Sequence, residues 1–190
     1  MRLFASVEVT DDVKNIAYRI IENLKKANAD VKWVEKENLH ITMKFLGEQP
    51  DEKLIKIKEA LKLAASNSQR CKIKIENIGT FPGSKNIRVI WLGVTAEIDK
   101  LKLLAQNVDE SLSKINFEKE KREFSPHLTI GRVRSNKNIS KLSDTIELLQ
   151  KDELLNKNTN SVDVNELVLF QSKLSPHGPE YSVIERFHLK

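Results

Sequence analysis

A chain of 190 residues and 21.8 kDa has the length of one domain, or of two small lobes sharing a core. Hydrophobic residues at 39% and charged residues at 31% mark a globular rather than a disordered chain, and 32 Lys and Arg against 27 Asp and Glu leave a mild lean toward anionic partners. The single cysteine, Cys71, excludes an internal disulfide framework and a multi-thiolate metal site; no apolar run approaches the ~18–20 residues of a membrane span; and Glu8 comes too early for a secretory signal, so a cytoplasmic protein is expected.

Arg2 to Val9 alternates and is rich in Phe and Val, which predicts a strand. Thr10-Asp11-Asp12 offers an N-cap and an acidic first turn, and Val13, Ile16, Ala17, Ile20, Ile21 and Leu24 then follow at helical spacing. Trp33 to Leu46 reads as one strand-like stretch, broken by Gly47 to Asp51. Leu54, Ile57, Leu61 and Ala64 predict a second helix, with strands near Lys72–Ile78 and Ile87–Val94. A third helix carries Ile98, Leu101, Leu104, Ala105, Val108 and Leu112. A strand near Ser125–Val133, a helix near Lys141–Leu149 and strands near Val162–Phe170 and Val183–Leu189 complete the order. Neither a low-complexity tract nor an interdomain linker interrupts it.

The order repeats. His40-Ile41-Thr42-Met43 and His127-Leu128-Thr129-Ile130 lie 87 positions apart, each preceded by a strand and an amphipathic helix. Downstream, Ile73 to Ile78 and Val162 to Leu167 share one pattern of apolar and polar residues, 33 and 35 positions beyond their histidines. Such a duplication predicts two units packed about a pseudo-twofold axis, with equivalent strands facing each other across a central cleft. Two lobes, approximately 1–85 and 86–190 with strand exchange between them left open, belong to one domain.

On a strand, side chains at i and i+2 share a face, so His40 and Thr42 point one way and His127 and Thr129 do the same. With four histidines and seven threonines in the chain, composition alone would place Thr at i+2 of two histidines about once in a hundred such chains. The bland alternative is a pair of hydrogen-bonded core histidines. Two equivalent imidazoles on one cleft suit metal-free phosphodiester chemistry instead, one accepting a proton while the other donates. The threonine hydroxyls can donate to non-bridging phosphate oxygens as charge rises there. A zinc site reads poorly: H-E-x-x-H is missing, and Asn38 and Ser125 stand where a carboxylate ligand would be needed. Glycine-rich phosphate loops are likewise missing, which disfavours a kinase or an ATP-driven ligase. His177 and His188 lack Thr at i+2 and are read as non-catalytic, Cys71 as structural, and Trp33 and Trp91 as packing the lobes.

Trp33-Val34-Glu35-Lys36-Glu37-Asn38-Leu39-His40-Ile41-Thr42-Met43-Lys44-Phe45-Leu46-Gly47-Glu48 closely resembles the first signature of the RNA 2′,3′-cyclic phosphodiesterases of the two-histidine (2H) phosphoesterase superfamily, once described as 2′-5′ RNA ligases. Phe124-Ser125-Pro126-His127-Leu128-Thr129-Ile130-Gly131-Arg132 resembles the second, and the likeness runs from Arg2-Leu3-Phe4 through Thr80-Phe81-Pro82 to Gly178-Pro179-Glu180-Tyr181. The resemblance implies an α+β fold of two pseudo-twofold-related lobes around the cleft, and cofactor-free, metal-free, ATP-independent opening of RNA 2′,3′-cyclic phosphate ends to 2′-phosphates, tRNA fragments among them, by a monomer that meets no membrane. It also implies His40 as proton donor, His127 as proton acceptor and Arg132 as a phosphate-side cation. At i+5 from His127, Arg132 faces away on an ideal strand, so a bulge at Gly131 or the strand end must re-aim it. Phe45, Arg134 and Lys137 are secondary candidates for base and backbone contacts. The acid-free run of Arg132, Arg134, Lys137 and Lys141 favours polymeric RNA. Two other readings remain at this stage: a 2H enzyme acting on a small cyclic phosphate or a 2′-5′ oligonucleotide, and a non-catalytic module that holds RNA ends.

Overall fold

The computed structural model describes residues 1–84, 86–151, 160–176 and 178–190. His177 therefore lies outside the described residues. Strand β1 (Arg2–Glu8) buries every residue from Leu3 to Val7, as a central strand covered on both faces does. Helix α1 (Asp11–Lys25) starts as its sequence predicts: Thr10 is the N-cap and its hydroxyl accepts from the Val13 amide at 3.4 Å. Val13, Ala17, Ile20, Ile21 and Leu24 form its buried stripe.

The stretch read as one strand, Trp33 to Leu46, is two. β2 (Val31–Trp33) ends before a single 3₁₀ turn at Lys36–Asn38, and β3 (His40–Glu48) begins after it in a different sheet. The polar run Glu35–Asn38 lets the chain cross between sheets at the surface. Helix α2 (Leu54–Ser66), β4 (Cys71–Phe81), β5 (Val89–Thr95), α3 (Ile98–Ser113), β6 (His127–Val133) and α4 (Ile139–Gln150) follow in the expected order. The expected strand near Val162–Phe170 is also two: β7 (Ser161–Val164) and β8 (Glu166–Ser175) lie in different sheets with Asn165 at the switch, and β9 (Gly178–His188) closes the chain.

Two antiparallel sheets result, ordered β3-β1-β8-β9 and β2-β6-β5-β4-β7. Helices α2 and α3 pack together, with α2 on β8 and β9 and α3 on β3; α1 and α4 pack together, with α1 on β6 and α4 on β4. The fold is thus the two-lobed α+β arrangement that the resemblance implied. The run β3-β1-β8 matches β6-β5-β4 strand for strand, so each motif strand has the same neighbours. Where the halves meet, Ile73 and Val162, the residues that begin the shared downstream pattern, are cross-strand partners of the β4–β7 ladder. From there β4 runs on beside β5, while β8 crosses to lie beside β1.

Both motif strands alternate alike. His40 and Thr42 are half-buried while Ile41 and Met43 are buried, and His127, Thr129, Leu128 and Ile130 repeat the pattern. Each tryptophan covers a glycine of a neighbouring strand. A Cβ on Gly79 would stand 2.3 Å from the Trp91 ring, and one on Gly131 would stand 2.9 Å from Trp33. Only glycine permits such close approach of ring and backbone. Cys71 opens β4, buried, and burial pushes its thiol up to about 11, as suits a structural cysteine.

Candidate active site

His40 and His127 each stand at the first residue of their strand, and both rings are held alike. The Nδ1–H of His40 donates to the Asn38 carbonyl at 2.7 Å, and that of His127 donates to the Ser125 carbonyl at 2.7 Å. Each bond fixes the tautomer and leaves Nε2 available toward the cleft. At His40 the Thr42 hydroxyl lies 3.0 Å from Nε2, close enough to donate to it.

Aromatic rings brace both imidazoles in a matching way. Phe4 (4.8 Å between ring centroids) and Phe170 (6.5 Å) lie beside His40, with Tyr181 edge-on at 5.4 Å. Trp91 (6.4 Å) and Phe81 (5.2 Å, edge-on) lie beside His127. Phe4 and Trp91 are 87 positions apart, like the histidines, and Phe81 and Phe170 keep the same relation with two more. None of these five aromatics was singled out from sequence as a site residue. The 87-residue offset is the signal that would have found Phe4 and Trp91.

The two histidines line adjoining halves of one cleft. The His127 half, about 950 Å³, also carries Phe81, Arg88, Arg122 and Phe124; the His40 half, about 380 Å³, carries Arg2, Lys32, Asn38 and Tyr181. Thr42, Phe45, Thr129 and Arg132 line both halves, so the motif hydroxyls sit at the shared centre.

Paired bulges put Phe45 and Arg132 there. In the β1–β3 ladder Ala5 pairs with Lys44 and Ser6 with Thr42, which leaves Met43 as the extra residue. In the β5–β6 ladder Trp91 pairs with Thr129 and Ile90 with Gly131, which leaves Ile130 extra. A bulge shifts every later side chain by one position, so the residue expected on the far face turns into the cleft. The bulge therefore lies at Ile130, one residue before the glycine expected to carry it. Phe45, 64% exposed, and Arg132 occupy equivalent positions of the two halves, one apolar and one cationic.

Arg134 is not brought to this cleft. Beyond the end of β6 its amide donates to the Asp30 carbonyl, its side chain is exposed, and it lines neither half. Lys137 and Lys141 line neither half either, so of the acid-free basic run only Arg132 reaches the cleft. His188 pairs with Glu166 at 3.1 Å near the opposite end of β9, outside the cleft.

Burial pushes the His40 imidazole below its usual pKa, against the hydrogen bond to Asn38, and the charges of Lys14 and Arg132 add to the lowering. Tyr181 is pushed up by burial, with Arg132 opposing. The Arg132 guanidinium thus acts on both groups of the His40 half.

Lys44 was quoted from sequence only as part of the first signature. It is 5% exposed, and its ammonium donates to Asp109 on α3 at 2.5 Å and to the Glu118 carbonyl at 2.8 Å. Asp109 also accepts from the Glu120 amide, so the pair ties β3 to α3 and to the loop that walls the larger half.

Known proteins of similar sequence and fold place the chain in a family. A family model, LigT like Phosphoesterase, matches twice, over residues 7–91 and 92–181, one match to each half of the repeat. The RNA 2′,3′-cyclic phosphodiesterase of Methanocaldococcus jannaschii is 43% identical over 187 residues, covering 98% of this chain and 100% of its own. That of Methanothermobacter thermautotrophicus is 36% identical over 189 residues, covering 100% and 99%. Among solved structures, apo LigT of E. coli superposes with a TM-score of 0.76 at 23% identity, covering 99% of this chain and 96% of that one, which shows the shared fold. With both motifs, the repeat and the full-length matches in agreement, the chain belongs to the LigT-like phosphoesterases of the 2H superfamily.

Proposed function

We propose that this protein hydrolyses 2′,3′-cyclic phosphate ends of RNA to 2′-phosphates, using His40 as proton donor and His127 as proton acceptor. The observation that carries the reading is the pair of tautomer-fixed imidazoles lining adjoining halves of one cleft, with the hydroxyl of each motif at the centre. Relatives at 43% and 36% identity, named as RNA 2′,3′-cyclic phosphodiesterases, support the substrate class.

The steps follow from the arrangement. His127 Nε2 takes a proton from water as the water oxygen bonds to phosphorus. The bond from phosphorus to the ribose 3′-oxygen breaks on the opposite side, as in-line displacement requires. His40 Nε2–H gives its proton to that oxygen. The products are a 2′-phosphate and a free 3′-hydroxyl, and exchange with solvent resets both imidazoles. Thr42, Thr129 and Arg132 donate to the phosphate oxygens where charge builds, which supplies acid, base and charge neutralisation from side chains alone. Phe45 offers its exposed ring to the terminal base. The lowered His40 pKa favours the neutral ring in the empty cleft, and an arriving anionic phosphate favours its protonated form. Microscopic reversibility allows a 5′-hydroxyl in place of water, giving a 2′-5′ linkage without ATP. A cytoplasmic, monomeric protein acting on tRNA fragments fits this reading.

The test is product analysis. Incubated in chelator with a dinucleotide cyclic phosphate, the protein should release predominantly 2′-phosphate by phosphorus NMR. Activity lost in chelator and restored by zinc or manganese would overturn the metal-free mechanism. A 3′-phosphate would reverse the placement of the ribose against the two histidines. Arg132→Ala should raise KM and flatten the salt dependence of RNA binding by a slope of about 0.7 per lost phosphate contact. An unchanged slope would remove Arg132 from the phosphate.

A further inference from the structure

The His40 half of the cleft holds an uncompensated pair of cations. Lys32 on β2 and Arg132 on β6 are direct cross-strand partners, both exposed and both lining this half. Like charges directly opposite on antiparallel strands repel, and folding does not place them there without an opposing charge or a cost. Among the described residues, neither is paired with a carboxylate, and no Asp or Glu lines this half. Arg2 joins them from β1; the carboxylate across from it, Glu48, is turned to the N-terminal amine at 3.7 Å. The larger half differs. There Asp109, Glu120 and Glu123 line the wall among the cations, and Lys44 is held by Asp109 and Lys102 by Glu123.

We propose that Lys32, with Arg2 and Arg132, forms a second phosphate subsite that binds the phosphodiester on the 5′ side of the terminal nucleoside. The inference rests on the reading of the cleft as a cyclic phosphodiesterase site and extends it: the enzyme measures a second phosphate, and so prefers an RNA end to a free cyclic mononucleotide. Arg132 lines both halves, so it sits between the reacting phosphate and this second one. The RNA body then leaves along the acid-free half, past β2, rather than past Arg88 and Arg122.

The experiment compares kcat/KM for three substrates: a nucleoside 2′,3′-cyclic phosphate, the same compound with a 5′-phosphate, and a dinucleotide with a 2′,3′-cyclic phosphate end. The protein should prefer the two longer anions by roughly tenfold, the size expected of one charge-assisted contact. Lys32→Gln, an exposed substitution, should bring that preference close to one, Lys32→Glu should invert it, and Lys32→Arg should restore it. Binding of a 2′-phosphate-ended dinucleotide, followed against salt, gives a readout that needs no turnover. Its slope should fall by about 0.7 in Lys32→Gln. A preference and slope unchanged in Lys32→Gln, or lost instead in Arg88→Gln or Arg122→Gln, would overturn the subsite and send the RNA through the larger half. If no cyclic phosphate is hydrolysed while Lys32→Gln still weakens binding, the catalytic reading fails and the anion subsite stands.

Discussion

His40→Ala and His127→Ala should each lower turnover at least ~10²-fold, the scale of a positioned general acid or base. Both imidazoles are tautomer-fixed by a carbonyl two residues upstream, so each presents one defined nitrogen to the cleft. Removing either ring leaves one proton transfer to water and spares the motif hydroxyls and Arg132, so RNA affinity should change far less than turnover. The double variant should be little worse than either single one, since groups that act as a unit are non-additive. Near-normal turnover in either single variant would end the two-histidine mechanism.

The His40 ring should also show its burial in its titration. Burial lowers the His40 pKa, and histidine-resolved NMR should show its midpoint below the ordinary imidazole value of ~6.5. Well above ~6.5 the folded and unfolded imidazoles are both neutral, and this ring leaves stability independent of pH. As pH falls through that value the unfolded ring takes a proton before the folded one, so the fold loses stability toward acid. Adding inorganic phosphate should move the His40 midpoint upward, because an anion beside the ring favours its charged form. A midpoint that ignores phosphate would separate His40 from the anion site. The limbs of the pH–rate profile belong to the coupled pair and assign neither role alone.

Much of this site is legible in the chain because it depends on local periodicity. His40 and Thr42 fall on one face by strand geometry, and α1 follows from its cap and stripe. What depends on pairing between distant strands is not legible. The bulges at Met43 and Ile130 exist only against β1 and β5, yet they decide that Phe45 and Arg132 enter the cleft. Trp33–Leu46 and Val162–Phe170 each read as one strand-like stretch, and only the packing of two sheets divides them. Arg134 was read from a charge run, which carries no information on direction. The aromatic braces come from five different strands, and only the repeat offset connects some of them in sequence.

The largest structural effect should come from Asp109, which the cleft chemistry does not use. Its carboxylate is 18% exposed and holds the Lys44 ammonium, whose side chain is 3% exposed. Asp109→Ala leaves that cation buried with the neutral Glu118 carbonyl and with Glu120, 3.6 Å away on a side chain 64% exposed. Orphaning a buried charge costs about 3 kcal/mol at the lower end of measured cases. At this chain length that is a fall in Tm of roughly 6–12 °C. Lys44→Met should cost less, because Asp109, more exposed than Lys44, keeps the Glu120 amide as a partner. Lys44→Met combined with Asp109→Leu should recover most of the loss, since an apolar pair of similar volume replaces two ions without leaving either unpaired. The order of the three melting points distinguishes this account from simple loss of packing, in which the double variant would be the least stable. Activity should follow a different order. Asp109 organises the loop carrying Arg122 and Phe124, so the double variant, though stable, should keep kcat within a few-fold and raise KM for RNA, and a kcat collapse there would place Lys44 in the chemistry itself.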